Sequence, residues 1–248
     1  MYTTSTPSDA TTPHVYQIGL AIASANIASI ITANEDGVTQ LATDGFPTPG
    51  ALSGNWTVPT GAGVPVISSA ATVNPTLTAT ASYACYTGTS FSNDQYSEVT
   101  LKTLTAASSD YAFPIVRCAT GAKTFYQAVM TATMGSATTI SIDKIVSGTE
   151  SSLSSLPVPG VTFSMTPQVG DVIRLSAVGN ILSVFQNGFL IGQVQDYAST
   201  ISSGSPGIGL FASSNVTHAQ ISAWAGGNAG TTPSYANSGQ IGAFSVGI

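Results

Sequence analysis

The acidic residues are the first groups to consider for chemistry, because hydrolysis of a glycosidic bond needs two carboxyl groups about 5–10 Å apart. Eleven Asp and Glu residues occur among the 248 residues, and most of them are isolated. Asp94 and Glu98 are the nearest pair that would share a strand region. We interpret Asp94 as a turn residue and Glu98 as a solvated edge acid, so the sequence predicts no hydrolytic pair.

Nucleophilic and phosphate-binding motifs are also missing. The two histidines, His14 and His218, have no Gly-x-Ser-x-Gly segment nearby, as many Ser-His-Asp hydrolases would. The Gly-rich stretch 204–209 contains no Lys and leads toward a strand, so it does not fit a phosphate loop. We therefore predict that the chain is not an enzyme and needs no cofactor.

Aromatic and neutral hydrogen-bonding side chains suit the binding of sugars, which present apolar ring faces and many hydroxyls. The candidate ligand-binding residues are Arg117, Tyr111, Tyr126 and Gln127. Alternation along a strand would place Arg117 on the same face as Tyr111 and would separate Tyr126 from Gln127. For Arg117 a second interpretation stays open, in which it pairs with one acid or stacks on rings at the edge of the core.

Cys85 and Cys118 each lie in an apolar run. A disulfide between them and two buried free thiols fit the sequence equally well. There is no Cys-x-x-Cys spacing, and the two histidines lie in unrelated segments, so we predict no zinc site.

The chain carries few charges, with 6% Asp, Glu, Lys and Arg against about 25% in an ordinary domain. The net charge is −6, and the basic residues are Lys102, Arg117, Lys123, Lys144 and Arg174. Nucleic-acid binding depends on clustered bases that neutralise phosphates, and an anionic membrane surface attracts the same kind of cluster. The scattered bases exclude both partners, and Ser, Thr, Asn, Gln and Gly must solvate the surface.

Strand patterns dominate from about residue 44 onward. Asp171–Val178, Ile181–Gln186 and Phe189–Val194 form a predicted meander, because Gly-Asn and Asn-Gly separate the three apolar runs. Further strands are predicted at Ser82–Tyr86, Tyr96–Leu104, Ala112–Cys118, Phe125–Thr131, Thr139–Val146, Gly207–Ala212 and His218–Ala223. Short strands at such regular intervals indicate an all-β sandwich or barrel rather than βαβ units. We place Trp56 and Trp224 in its core.

Both ends of the chain differ from this pattern. Residues 1–40 are Thr/Ser/Pro-rich and then apolar over Val15–Ile31, a stretch without the basic flanks of a membrane helix or a secretory signal. Residues 229–248 are Gly/Ser/Thr-rich with an apolar end. We predict an N-terminal arm (1–40), a sandwich domain (41–228) and a C-terminal tail (229–248), with no membrane insertion. Both ends would dock on neighbouring subunits.

The domain resembles the concanavalin-A-like lectin/glucanase domains, also called laminin-G-like jelly rolls. The resemblance starts at Asp44–Phe46 and Gly50–Trp56, and its later parts follow in the order of that family: Gly170–Leu175, Asn187–Gly188, Gly204–Gly209 and Trp224–Gly227. It implies a two-sheet antiparallel jelly roll. Members of the family bind glycans, mediate adhesion, hydrolyse polysaccharides or decorate larger assemblies, and fold does not choose among these.

Two departures from the family bear on function. The Glu-x-Asp-x-x-Glu arrangement of the hydrolytic branch is absent. Where related domains place an acid after the closing Trp-x-Gly-Gly, this chain has Asn228, so Asp44 with Asn228 would be a weak calcium site.

Three functions fit these observations. The first is a non-enzymatic structural or decoration protein on the exterior of a virion or similar assembly, with weak glycan adhesion; it would contact copies of itself and neighbouring subunits through its arms. We prefer this hypothesis because an uncharged, extracellular-like surface occurs without a secretory signal. The second is a secreted carbohydrate-binding module that recognises cell-surface glycan. The third, a polysaccharide hydrolase, ranks last because no carboxylate pair is apparent.

Overall fold

The structure is a computed structural model that describes residues 38–105, 110–130, 134–153 and 163–230. In these ranges the chain forms strands and a single 3-10 turn, Val216–His218, with no α-helix. The strands are β1 (Thr39–Asp44), β2 (Gly50–Ala51), β3 (Trp56–Thr57), β4 (Pro65–Ser69), β5 (Thr72–Pro75), β6 (Ser82–Tyr86), β7 (Gln95–Leu104), β8 (Tyr111–Ala119), β9 (Thr124–Met130), β10 (Thr138–Val146), β11 (Thr149–Ser152), β12 (Phe163–Met165), β13 (Val172–Val178), β14 (Ile181–Gln186), β15 (Phe189–Gln195), β16 (Ser205–Phe211) and β17 (Ala219–Asn228).

Two antiparallel sheets contain all of these strands. Over the described ranges, the nine-stranded sheet has the order β15-β14-β13-β7-β17-β5-β4-β2, with β1 also paired to β17. The eight-stranded sheet has the order β11-β10-β9-β8-β16-β6-β3, with β12 also paired to β10. This two-sheet antiparallel sandwich confirms the all-β jelly-roll architecture that the family resemblance implied.

The predicted strands correspond to observed ones. Ser82–Tyr86 is β6, and the predicted meander is β13, β14 and β15. At the turn between β14 and β15, Asn187 and Gly188 both have positive φ values, 52° and 82°. Two consecutive residues of that kind are what a tight hairpin turn requires, which is why Asn-Gly predicted it correctly.

Apolar residues from both sheets form the main core. Trp56 and Trp224 are buried there, as predicted, with their ring centroids 4.8 Å apart. From the nine-stranded sheet come Val99, Leu101 and Leu175, among others. This core fixes which face of each strand points inward, and therefore which face is left for other roles.

The ends of the chain lie mostly outside the described residues, including Val15–Ile31 and the apolar end of the predicted tail. Thr39, at the start of β1, lies within the predicted arm and pairs with Asn228 at the end of β17. The division into arm, domain and tail otherwise stays a prediction. In the described part of the chain, no helix has the length and apolar character needed to cross a membrane.

Candidate functional site

The outer face of the eight-stranded sheet carries a second, smaller apolar cluster. Its buried members come only from β6, β8, β9 and β10, so it lies on the side away from the main core: Cys85, Phe113, Ile115, Cys118, Phe125 and Ile145. Tyr83, Tyr111 and Val129 pack against its edge. These three residues at the edge are only partly buried, so they are the apolar side chains that a ligand could contact.

A disulfide joins Cys85 of β6 to Cys118 of β8, and both cysteines belong to this cluster. The two residues are 33 positions apart in sequence. The crosslink therefore ties together two strands that flank β16 at one end of the outer face.

A pocket of about 370 Å³ lies at the other end of this outer face. The residues that line it come from six strands and the segment before β6: Ala81, Tyr83, Tyr111, Phe113, Gln127, Val129, Ser141, Asp143, Glu150 and Phe211. Its volume lies within the roughly 300–1,000 Å³ of small-molecule sites. Aromatic and polar side chains share the lining.

Aromatic rings make up one part of the pocket. Tyr111 and Phe211 are stacked with centroids 5.5 Å apart, and Tyr83 lies 6.1 Å from Phe113. The Phe113 ring lies directly over Gly209, where an added Cβ would be 2.0 Å from a ring carbon. Glycine at this position in β16 is therefore what allows the ring to lie against the sheet.

Polar groups make up the rest of the lining. Gln127 of β9 is directly opposite Asp143 of β10. The tight β10–β11 hairpin then places Glu150 on the same face, and the Gln127 Nε2 donates to Glu150 Oε2 at 3.4 Å. Asp143 Oδ2 accepts a hydrogen bond from the Ser141 hydroxyl at 2.9 Å. Gln127 also hydrogen-bonds Asp143, so the carboxyl groups of Asp143 and Glu150 share the amide side chain of Gln127.

This carboxyl pair corrects the prediction that the acids are isolated. Asp143 and Glu150 are seven positions apart, and only the hairpin brings them to one face. Asp94 and Glu98, which the sequence did not predict to act as a pair, have different partners: Asp94 interacts with Arg117, and Glu98 lies beside Arg174.

Burial sets the protonation behaviour of the pocket. It raises the pKa of Asp143 above its usual value, although hydrogen bonds from Ser141, Ser152 and Gln127 oppose the rise. Burial and the neighbouring charge of Asp143 both raise the pKa of Glu150. Burial and Glu150 raise the pKa of Tyr83 to about 12. Negative charge is therefore costly here unless a ligand compensates it.

Two of the four predicted ligand-binding residues, Tyr111 and Gln127, line the pocket. Tyr126 does not, in contrast to its prediction as a ligand-binding residue, because its side chain points to the opposite face from that of Gln127 and lies in the main core. Its hydroxyl donates to Asp196 Oδ2 at 2.6 Å and accepts from the Ile201 amide at 2.7 Å. Tyr126 therefore holds the segment between β15 and β16 in place through Asp196 and Ile201.

The prediction that Arg117 shares a face with Tyr111 is wrong. An extra residue interrupts the pairing of β8 with β9 between Val116 and Ala119, and Arg117 adopts a φ of 55°. Such a β-bulge re-aims side chains relative to strict alternation. The Arg117 guanidinium is buried and donates to the carbonyl oxygens of Asn93 and Ile201 at 2.8 and 2.9 Å, so it acts as a structural hub.

The predicted calcium ligands, Asp44 and Asn228, are not brought together. Asp44 is opposite Trp224 in the β1–β17 ladder, whereas Asn228 is opposite Thr39 at its other end. Four residues of strand separate the two positions by roughly 13 Å. The Asp44 carboxylate instead accepts hydrogen bonds from the Phe46 amide at 2.7 Å and the indole of Trp56 at 2.8 Å. Within the described ranges, no three His, Cys, Asp or Glu side chains cluster as metal ligands.

Comparison with known proteins finds similarity at the level of structure. No protein-family model and no curated protein sequence matches the chain. Among solved structures, the chain is similar to the carbohydrate-binding module CBM66 from Bacillus subtilis, with 16% identity, 72% of this chain and 96% of that chain covered, and a TM-score of 0.48. It is also similar to the carbohydrate recognition domain of Emp47p, with 13% identity, 77% and 96% covered, and a TM-score of 0.47. The Bacillus licheniformis β-glucanase is a further similar structure, with 8% identity, 76% and 98% covered, and a TM-score of 0.48. The likeness is one of overall fold.

Proposed function

We propose that this chain binds a glycan in the pocket on the outer face of its eight-stranded sheet. The observation that carries the proposal is the pairing of an aromatic wall, formed by Tyr83, Tyr111 and Phe211, with hydrogen-bond acceptors on Gln127 and Glu150. A sugar ring presents an apolar face that packs on aromatic rings and hydroxyls that donate to such acceptors.

Binding is favoured over hydrolysis by the position of Asp143. Its side chain is 4% exposed and already accepts hydrogen bonds within the sheet, so it lies below the pocket surface. A general acid or base must come within about 2.6–3.2 Å of the atom that it protonates or deprotonates, directly or through one water. Asp143 is better placed to fix the orientation of Gln127.

Hydrolysis is the second candidate, because Asp143 and Glu150 share one face of the sheet and both have raised pKa values. The two candidates are separated by incubating the protein with labelled oligosaccharides and measuring new reducing ends. Turnover that disappears in Glu150→Gln would replace the binding proposal. Binding without new reducing ends supports it.

The first experiment is a glycan array, followed by calorimetric titration with the best oligosaccharide. Tyr111→Ala removes one ring of the stacked pair in the pocket, and we expect about tenfold weaker binding, which corresponds to about 1.4 kcal/mol. Tyr197→Ala is the matched control, because Tyr197 is 68% exposed and does not line the pocket. Equal affinities for both variants would contradict this location of the site.

A glycan-binding chain of this kind would act outside the cell or at a surface. Its few charges suit such a location, since uncharged polar groups solvate most of the exterior. Display on a virion or similar assembly through the terminal arms stays a prediction. Electron microscopy of the full chain would test it, because that hypothesis requires regular arrays or rings of subunits.

A further inference from the structure

The pocket has more hydrogen-bond acceptors than donors. Asp143 and Glu150 contribute carboxylate oxygens, and their partners within the sheet leave further acceptor capacity unused. Gln127 is 2% exposed, and its Oε1 has no hydrogen-bond partner among the described residues. A buried acceptor without a donor is costly, so the pocket is built for an occupant that supplies donors.

The same pocket holds uncompensated negative charge. Of its described lining residues, two are acids and none is a base. Lys144 follows Asp143 in β10, but alternation turns it to the other face, where it pairs with Asp196. Arg117 is likewise directed into the interior by its bulge. A bound cation would therefore meet the carboxylate of Glu150, with Asp143 below it in the sheet and no basic side chain of the lining in competition.

The aromatic wall adds a third feature that favours a cation of a particular kind. The faces of Tyr and Phe rings attract organic cations held within about 6 Å of the ring centre. The pocket of about 370 Å³ is far larger than a bare metal ion needs. Rings, carboxylates and an unpaired amide oxygen together fit a protonated amine on an organic ring.

We infer that the pocket selects glycans that carry a protonated amine, such as glucosamine units without acetyl groups, over neutral sugars of the same ring size. This inference rests on the proposed function and names the class of glycan. The ammonium group would lie between Glu150 and the Gln127 Oε1, with the sugar ring against Tyr111 and Phe211. Acetylation would remove both the charge and two of the three ammonium donors.

The test compares four probes by calorimetric titration of the full chain at pH 6 and fixed salt: the glucosamine trimer, the N-acetylglucosamine trimer, cellotriose and trilysine. We expect the glucosamine trimer to bind at least tenfold more tightly than either neutral trimer. Equal binding of all three sugars would overturn the charge selection and leave glycan binding intact. Failure of every sugar to bind would overturn both. Tighter binding of trilysine than of the glucosamine trimer would show that the amine belongs to a peptide.

Two charge-removing variants show whether the selection comes from this pocket. Glu150→Gln keeps the side-chain shape and lies on an exposed hairpin strand, so we expect an unchanged melting temperature and loss of most of the tenfold preference. Glu98→Gln removes the same charge from the other sheet and should keep the preference. Equal loss in both variants would mean that only the net negative charge of the chain attracts the amine, and the inference would be wrong.

Discussion

Replacing Lys144 with Met should destabilise the sandwich strongly, because it leaves Asp196 without its countercharge. Lys144 Nζ lies 2.8 Å from Asp196 Oδ2, and the two side chains are only 8% and 2% exposed. Removing one partner of a buried ion pair costs about 3–5 kcal/mol, since the remaining charge is poorly solvated. For a chain of this size that corresponds to a melting temperature lower by roughly 6–20 °C.

The assay is equilibrium unfolding in urea at pH 7, followed by the fluorescence of the two buried tryptophans. Lys123→Met is the matched control, because the Lys123 side chain forms no ion pair among the described residues, and we expect a change below about 1 kcal/mol. Adding Asp196→Asn to Lys144→Met should recover much of the loss, since the double variant buries no charge.

The pH dependence gives a second readout of the same pair. Burial alone would raise the pKa of Asp196, but hydrogen bonds from Lys144, Tyr126 and the Ala198 amide, with the lysine charge, hold it below its usual value. Such a carboxylate contributes stability above its unfolded pKa of about 3.9, and this stability is lost as the pH falls through the folded pKa. The wild-type and Lys144→Met stabilities should therefore converge on acidification. A loss below about 1 kcal/mol at pH 7 would refute the reasoning.

Three further predictions concern the outer face of the eight-stranded sheet. Reduction of the Cys85–Cys118 disulfide should cost about 3–4 kcal/mol, the chain-entropy value for a loop of this length, and thermal melts with and without reductant would check it. Gly207→Ala should destabilise by more than about 2 kcal/mol, because the added Cβ would lie 2.1 Å from a carbonyl oxygen of β6. Gly121→Ala should not destabilise the protein to this extent, because a Cβ added at Gly121 would lie in open space. Similar melting temperatures for Gly207→Ala and Gly121→Ala would contradict the close packing of Gly207 against β6. Asp143→Asn should be at least as stable as the wild type at pH 7 and lose this advantage near pH 4, since a carboxyl with a raised pKa costs stability above that pKa; a stability that is lower at pH 7 would contradict it.

Local rules were enough to predict the sandwich and two of its pocket residues. Alternation along a strand has a period of two, so it placed Tyr126 and Gln127 on opposite faces, although it did not show which of the two faces the core. The dipeptide Asn187-Gly188 predicted a hairpin, because Asn and Gly tolerate the positive φ values that a tight hairpin turn requires. Such signals are contained within a few consecutive residues.

Only the tertiary structure showed the carboxyl pair and the role of Arg117. Asp143 and Glu150 meet because of the register of one hairpin, and a shift of one residue would have turned either of them to the other face. Arg117 points inward because one extra residue interrupts β8, which no pattern of residue types announces. Sequence by itself therefore determined the fold class and placed neighbouring residues of regular strands on opposite faces. Register and bulges, which depend on the partner strands, decided which side chains form the pocket.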